Sequence, residues 1–281
     1  MNGISLHTMS RAELETAVEW AAREGWNPGL DDAAAFFAAD PEGFFAATQN
    51  GETIGTISAV RYGDAYGFVG FFIVKPEFRG HEVGWKLAEH ALQFLGDRTI
   101  GIDGVLAKQE QYAKFFGFTF AYRNIRYGGA ITLESQPAAN LVPLGQVPFE
   151  QIAAFDRRYF PAPRTAFLRE WTSLPHAVGH AVMGDDGLRG YGVIRQCREG
   201  FKIGPLFVSD TEIAEPLFLA LSAHAKGAPV FLDVPELNEA AKEMAARHEM
   251  KEVFATARMY RGAIPNLPVN EIFGVTTFEL G

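Results

Sequence analysis

Of the 281 residues only Cys197 is a cysteine, so no internal disulfide framework is possible and a reducing compartment is expected. No apolar run approaches the roughly 20 residues needed to cross a bilayer. The N-terminal stretch has no basic segment followed by an apolar one, so no signal peptide is expected. Runs of Lys or Arg are also missing. With a formal net charge of −9, the chain lacks the basic face that phosphate backbones require, which argues against nucleic acid. The expectation is a cytoplasmic protein, a monomer or homodimer, with no membrane or nucleic-acid partner and no metal. Cys197, with no His or Asp pattern around it, reads as a small strand residue. What is present is a 48% hydrophobic composition, enough for one large domain or two of ordinary size.

The densest information lies between Phe71 and Leu87. Phe68 to Val74 is a continuous apolar run, as in a strand covered on both faces, and Pro76 stops it because it cannot donate to a ladder. Arg79-Gly80-His81-Glu82-Val83-Gly84 then opens a helical pattern carried by Val83, Leu87, Ala91, Leu92 and Leu95. A two-glycine turn at a helix start aims backbone N–H groups and the positive helix end at one spot, which makes a pyrophosphate site with Arg79 as charged neighbour.

Around this segment the pattern predicts two helices, three strands, a helix, a strand, a helix and a strand. Ser10 and Glu13 form a capping box before an apolar helical face, and Asp31 or Asp32 begins a second short helix. Strands are expected over 43–48, 53–62 and 66–74, with the helix from about Gly80 to Leu95. A strand over 99–104, a helix around 108–116 and a strand over 118–127 follow. A polar, proline-containing break at Glu134–Asn140 and Pro143 is expected to separate a first unit, residues 1–133, from a second, residues 141–281. Beyond it the order recurs: helices over 149–160 and 165–171, strands over 177–183, 188–197 and 201–208, a helix over 211–225, a strand over 229–233, a helix over 236–248 and a strand over 253–260. Ile102-Asp103 matches Leu232-Asp233, and Arg126-Tyr127 matches Met259-Tyr260, suggesting an internal repeat; two unrelated α/β halves are the alternative. The second unit has no Arg-Gly-x-x-x-Gly turn. Asp210 and Glu212 stand at its corresponding helix start and fill the dipole site themselves.

The motif and the element order resemble the GCN5-related N-acetyltransferases, matching at Val74, Pro76, Arg79, Gly80 and Gly84 and departing at Glu82, where the family usually has glycine. The second half, through Tyr191–Arg195, Lys202–Phe207, Phe231–Pro235 and the terminal Phe273–Gly281, is similar to tandem bacterial acetyltransferases of the YitH-like kind, whose second domain is degenerate. The implied fold is α/β, an α+β mixed sheet repeated in tandem. The implied cofactor is acetyl-CoA (coenzyme A), with its thioester along the backbone of Ile73 and Val74 and its pyrophosphate on Arg79, Gly80, His81, Glu82, Val83 and Gly84.

The resemblance also implies that a tyrosine on the last helix protonates the leaving thiolate. Tyr112 is the candidate, one residue further from Gly117-Phe118 than the family spacing; an ordinary half-buried core tyrosine is the other reading. Asp103, at a strand end beside the expected cleft, is the candidate base or a turn residue before Gly104. Arg61, Tyr62, Arg126 and Tyr127 line the amine pocket or are solvated strand ends. The expected activity is transfer of an acetyl group to a primary amine of a small molecule or peptide. A catalytically weak or silent acyl-CoA-binding or interaction protein is the alternative.

Overall fold

The computed structural model describes residues 3–132 and 140–281, so most of the expected linker, Glu134–Ala139, lies outside the described residues. The first half runs β1 (Ser5–Thr8), α1 (Arg11–Arg23), α2 (Asp32–Ala39), β2 (Phe44–Gln49), β3 (Glu52–Tyr62), β4 (Tyr66–Val74), α3 (Glu82–Leu95), β5 (Thr99–Val105), α4 (Gln109–Phe116) and β6 (Thr119–Ala130). The second runs β7 (Leu141–Pro143), α5 (Phe149–Asp156), α6 (Thr165–Trp171), β8 (Ala177–Gly184), β9 (Gly187–Gln196), β10 (Phe201–Val208), α7 (Ala214–Ser222), β11 (Pro229–Pro235), α8 (Glu239–Arg247), β12 (Lys251–Arg261) and β13 (Ile272–Gly274). The order is the expected one, with three short strands added: β1, β7 and β13. The capping box of α1 is formed, Ser10 Oγ accepting from the Glu13 amide and Glu13 Oε2 accepting from the Ser10 amide at 2.8 Å. The helix expected from Glu236 begins only at Glu239, because the Asn238 side chain caps it by accepting from the Ala241 amide at 3.0 Å.

All the described strands belong to one mixed sheet, in the order β1-β2-β3-β4-β5-β12-β6-β11-β10-β9-β8-β7, with β13 against β10. The two halves exchange their last long strands. β12 of the second half lies between β5 and β6, pairing Thr256–Arg261 antiparallel with Ile100–Val105. β6 of the first half pairs with β11, from Asn124↔Pro235 to Ala130↔Pro229. The halves therefore interlock, and parting them means opening ladders that each half needs to complete its own sheet.

Each exchanged strand carries an arginine to an aspartate of the other half. Arg126 on β6 grips Asp233 on β11 at 2.6 and 2.8 Å; Arg258 on β12 grips Asp103 on β5 at 2.8 and 2.5 Å. All four side chains are buried. The equivalence of Asp103 with Asp233 is thus a physical one. It also corrects the sequence pairing of Arg126 with Met259 by one residue, since the structural counterpart of Arg126 is Arg258. A register shift between Arg258 and Met259 hides that match from a simple offset.

Alternate residues of β3 and β4 divide between two cores. Val60, Tyr62, Tyr66 and Phe68 pack with α1, α2, α5 and α6; Ile57 and Ala59 pack with Val83, Leu87 and Leu95 of α3. This places α3 on one face of the sheet and α1 and α2 on the other.

Candidate active site

The site begins with a parting of strands. Parallel pairing of β4 with β5 runs from Tyr66↔Thr99 to Val69↔Ile102 and stops. The stop coincides with a bulge in β4: Ser58 faces Gly70 and Thr56 faces Ile73, so Phe71 and Phe72 together stand opposite Ile57. Phe71 is held at φ 45°, a conformation that costs a bulky residue roughly 1–2 kcal/mol. Packing sustains it, because the buried Phe71 ring lies 5.5 Å from Phe36 and 6.5 Å from Phe44. Thr56 Oγ1 donates to the Phe71 carbonyl at 2.8 Å, and Ser58 Oγ accepts from the Gly70 amide at 3.0 Å. The bulge turns two consecutive residues, Gly70 and Phe71, towards the α1/α2 face, while Val69, Phe72 and Val74 pack with the α3 core.

A cleft of about 800 Å3, counted with its open mouth, fills the parting. Phe72, Ala88, Leu92, Tyr112 and Phe116 line its α3/α4 side; Trp26, Phe71, Phe254, Phe278 and Glu279 line the other. Beyond the end of β4 the chain turns through Pro76–Phe78 and Gly80, which has φ 84°, and α3 starts at Glu82. His81 stands at the N-cap with no side-chain cap bond, so the first amides of α3 are not satisfied by a capping side chain. The groups expected to hold a pyrophosphate and thioester, Ile73, Val74, Arg79, Gly80, His81, Glu82, Val83 and Gly84, follow along this turn, and none of them is among the residues that border the cleft. Their side chains do different things. Val83 and Ile73 are buried in the two cores. Arg79 folds back, donating from Nε to the Val74 carbonyl at 2.8 Å and pairing with Glu24 at 2.5 Å. Glu82 is in the first helical turn without a positive φ, and its side chain, 63% exposed, pairs with Lys86 at 3.1 Å. The uncapped amides and the free β4 edge fit an acyl-CoA.

Tyr112 projects from α4 over Gly104, so closely that a Cβ there would lie 2.5 Å from its ring. The longer spacing to Gly117-Phe118 is closed by a C-terminal wrap: Gly117 is left-handed, its amide donates to Ala113, and the Phe118 amide reaches back to the Tyr112 carbonyl at 3.3 Å. Burial pushes the Tyr112 phenol up to about 12, so it carries its proton at neutral pH.

Asp103 also borders the cleft, but its carboxylate is committed: Arg258 takes it with two bonds, and Asn124 Nδ2 donates to it at 2.7 Å. The four residues expected in the amine pocket are not brought to the cleft. Arg61 is forked onto Asp40 and Glu42 above the Phe94 ring. Tyr62 is in the core, donating to the Leu280 carbonyl at 3.0 Å. Tyr127 donates to Glu252 at 3.3 Å. Arg126 stands behind the wall, donating to the Trp26 carbonyl at 2.6 Å with its guanidinium 4.9 Å from the Phe278 ring centre. The residue not anticipated is Glu279. It is 2% exposed and borders the cleft; Oε2 accepts from the Thr277 hydroxyl and Oε1 has no partner. No periodicity marks the tail that carries it.

A sheet parted at a strand bulge, with an uncapped helix start following β4 and a tyrosine inside the cleft, is an arrangement suited to an acyltransferase. The comparisons agree. Residues 11–118 match the model of the acetyltransferase (GNAT) family and residues 152–274 that of an acetyltransferase (GNAT) domain. The chain is 31% identical over 273 residues, 97% of this chain and 92% of the relative, to a holothin acyltransferase of Pseudoalteromonas sp. (strain SANK 73390). A crystal structure of a candidate acetyltransferase from Pyrococcus horikoshii superposes with a TM-score of 0.84 at 20% identity, covering 100% of this chain and 97% of that one. A tandem GNAT protein from the clavulanic acid biosynthesis pathway superposes at 0.64 with 14% identity, covering 94% and 100%. The chain belongs to the GCN5-related N-acetyltransferase (GNAT) family, in its tandem form.

Proposed function

We propose that this acyltransferase takes acetyl-CoA in the parting of β4 and β5 and delivers the acetyl group to a primary amine of a small molecule or peptide. The reading divides the chain into an acyl-CoA-binding half, residues 1–133, and a degenerate half, residues 141–281, that completes the acceptor side. The observation that carries it is the cleft, with an unpaired β4 edge on one flank and Tyr112 facing it. When bound, acyl-CoA supplies the thioester. The amides of Gly80 to Gly84 hold the pyrophosphate, assisted by the α3 dipole. The backbone at Ile73 and Val74, beyond the end of the pairing with β5, aligns the thioester arm once Arg79 releases the Val74 carbonyl, and the aromatic walls exclude water. Tyr112 donates its proton to the departing sulfur. Glu82 and the Tyr112 spacing, the two points at which the chain departs from the family pattern, both fit this reading: Glu82 faces Lys86 and Tyr112 reaches the cleft. Among the described residues no helix is long and apolar enough to cross a membrane, and we place the enzyme in the cytoplasm as a monomer or homodimer.

Titration calorimetry with acetyl-CoA should give one site per chain, and mass spectrometry should find an N-acetyl product in a panel of primary amines. Two equivalent sites would overturn the division of labour between the halves. Products only from longer acyl-CoA thioesters would overturn the choice of acetyl.

A further inference from the structure

We propose that Glu279 receives the acceptor as an ammonium and takes its proton, and that the acceptor is a primary amine on an apolar, ring-sized body. This rests on the N-acyltransferase reading above and names a residue and a substrate class for it.

Glu279 is buried in the cleft wall opposite Tyr112, with Phe254, Phe278, Trp26 and Phe71 around the space between. Its backbone is fixed there, because Gly70 of the bulge leaves room for the Glu279 carbonyl: a Cβ on Gly70 would stand 2.0 Å from it. The Thr277 hydroxyl holds one carboxylate oxygen, leaving the other without a partner. A buried acceptor in that state is expensive, and folds retain it where a ligand supplies the missing donor. Three buried cations feel its charge, Arg126, Arg195 and Lys202, yet among the described residues none of them donates a hydrogen bond to it. Arg126 pairs with Asp233, Arg195 pairs through Nε with Asp32 while its Nη1 and Nη2 have no partner among the described residues, and Lys202 donates to the carbonyls of Trp26 and Asn27. The carboxylate is therefore buried and unpaired in the wall of the cleft, where an ammonium would supply the missing donor, and the aromatic walls favour an apolar body behind it. Asp103, the other carboxylate of the cleft, is locked to Arg258.

The proton account closes. The ammonium gives one proton to Glu279, and its nitrogen forms the C–N bond to the acyl carbon as the C–S bond breaks. The sulfur takes the Tyr112 proton. The second proton lost by the nitrogen restores the phenol by way of solvent, and Glu279 releases its own to solvent. The products are amide, thiol and one proton.

The test compares benzylamine, an ammonium near pH 7, with aniline, which is neutral there. In Glu279→Gln, turnover of benzylamine should fall by about 100-fold or more, while that of aniline stays within about fivefold. A purely structural role would lower both alike, and equal losses or no loss would overturn the proposal. Binding gives a second readout without turnover. Calorimetry should show benzylamine losing about tenfold in affinity in the variant, with the neutral isostere benzyl alcohol unchanged; equal behaviour of the two ligands overturns it. Thr277→Val, which keeps the carboxylate but removes the hydroxyl that holds it, should shift the benzylamine-to-aniline ratio in the same direction by about tenfold, and serves if the Gln variant folds poorly. Should the wild type acylate neither amine but acylate others of the panel, the ring-sized acceptor is overturned; should it acylate none of the panel, the N-acyltransferase reading fails, and the binding pair alone decides on Glu279.

Discussion

The two halves of the sheet part at the same place, and only one parting is open. In the first half β4 and β5 separate after Val69↔Ile102 around the Gly70–Phe71 bulge. In the second, β10 and β11 pair from Phe201↔Val230 to Ile203↔Leu232 and separate around a bulge at Gly204–Pro205, opposite Val193. There the chain's own tail enters. β13 pairs with β10 at Leu206 and Phe207, and the Val275 amide donates to the Asp233 carbonyl at 2.8 Å. The approach to α7 is also taken, since Asp210 caps the 3-10 turn Thr211–Ile213 that leads into it by accepting from the Glu212 amide at 3.0 Å, and pairs with Arg189. α8 buries Ala241, Met244 and Ala245, with no hydroxyl where α4 has Tyr112. The second parting is plugged by the tail as well as lacking the Arg-Gly-x-x-x-Gly turn. The same tail crosses both bulges, with the carbonyls of Val275 and Thr276 over Gly204 and that of Glu279 over Gly70. One segment closes the second site and walls the first.

The largest test of this contrast is Tyr112→Phe. If the open cleft is the catalytic one, losing the general acid should lower turnover on the order of 10²–10⁴-fold with acetyl-CoA affinity nearly unchanged. Burial raises the phenol to about 12, so the wild type should show no loss of turnover from Tyr112 ionisation between about pH 8 and 10. An alkaline fall centred near pH 10 that disappears in the Phe variant would mean an unperturbed phenol. An unchanged rate in Tyr112→Phe would show that water protonates the sulfur.

A second test exploits the symmetry of the exchanged strands. Asp103→Asn and Asp233→Asn each leave a buried arginine without its counter-charge, which costs about 3–5 kcal/mol. Equal losses of stability in denaturant are expected, although only Asp103 borders the cleft. Were Asp103 a base, its Asn variant would instead stay folded and lose turnover selectively. That outcome would return it to the catalytic role its position at a strand end suggested.

Local signals served the sequence reading well, and long-range ones did not. Tyr66–Val74 and Thr165–Trp171 were legible to the residue, because an apolar run bounded by turns and a periodic face are properties of neighbours. The turn from Pro76 through Gly80 into α3 was legible for the same reason. The strand exchange was not. β6 and β12 read as the closing strands of their own halves, and nothing in either records that the partner is 100 or more residues away. Arg126 and Asp103 therefore looked like free polar groups at strand ends, when each was already committed across the exchange. Glu279 was invisible for a related reason. Its tail has no period, and its position depends on a glycine in β4 that makes space for it.

The smallest expected effect is that of Glu82→Gly, which restores the family residue at the one position of the phosphate turn where this chain departs from it. A glycine would be required there if φ were positive or if the side chain met the phosphates. Neither holds, since Glu82 is already helical and pairs with Lys86 in solvent. An exposed pair of this kind contributes about 0–1 kcal/mol, and an acidic residue in the first turn adds about 0.3–1 kcal/mol through the helix dipole. The variant should therefore lose on the order of 1 kcal/mol of stability and keep acetyl-CoA affinity within about twofold, with little dependence on salt. A gain of tenfold that shrinks as salt is added would show that the carboxylate turns towards the phosphates when they bind. In that case the open half would carry a trace of the acidic helix start that closes its partner.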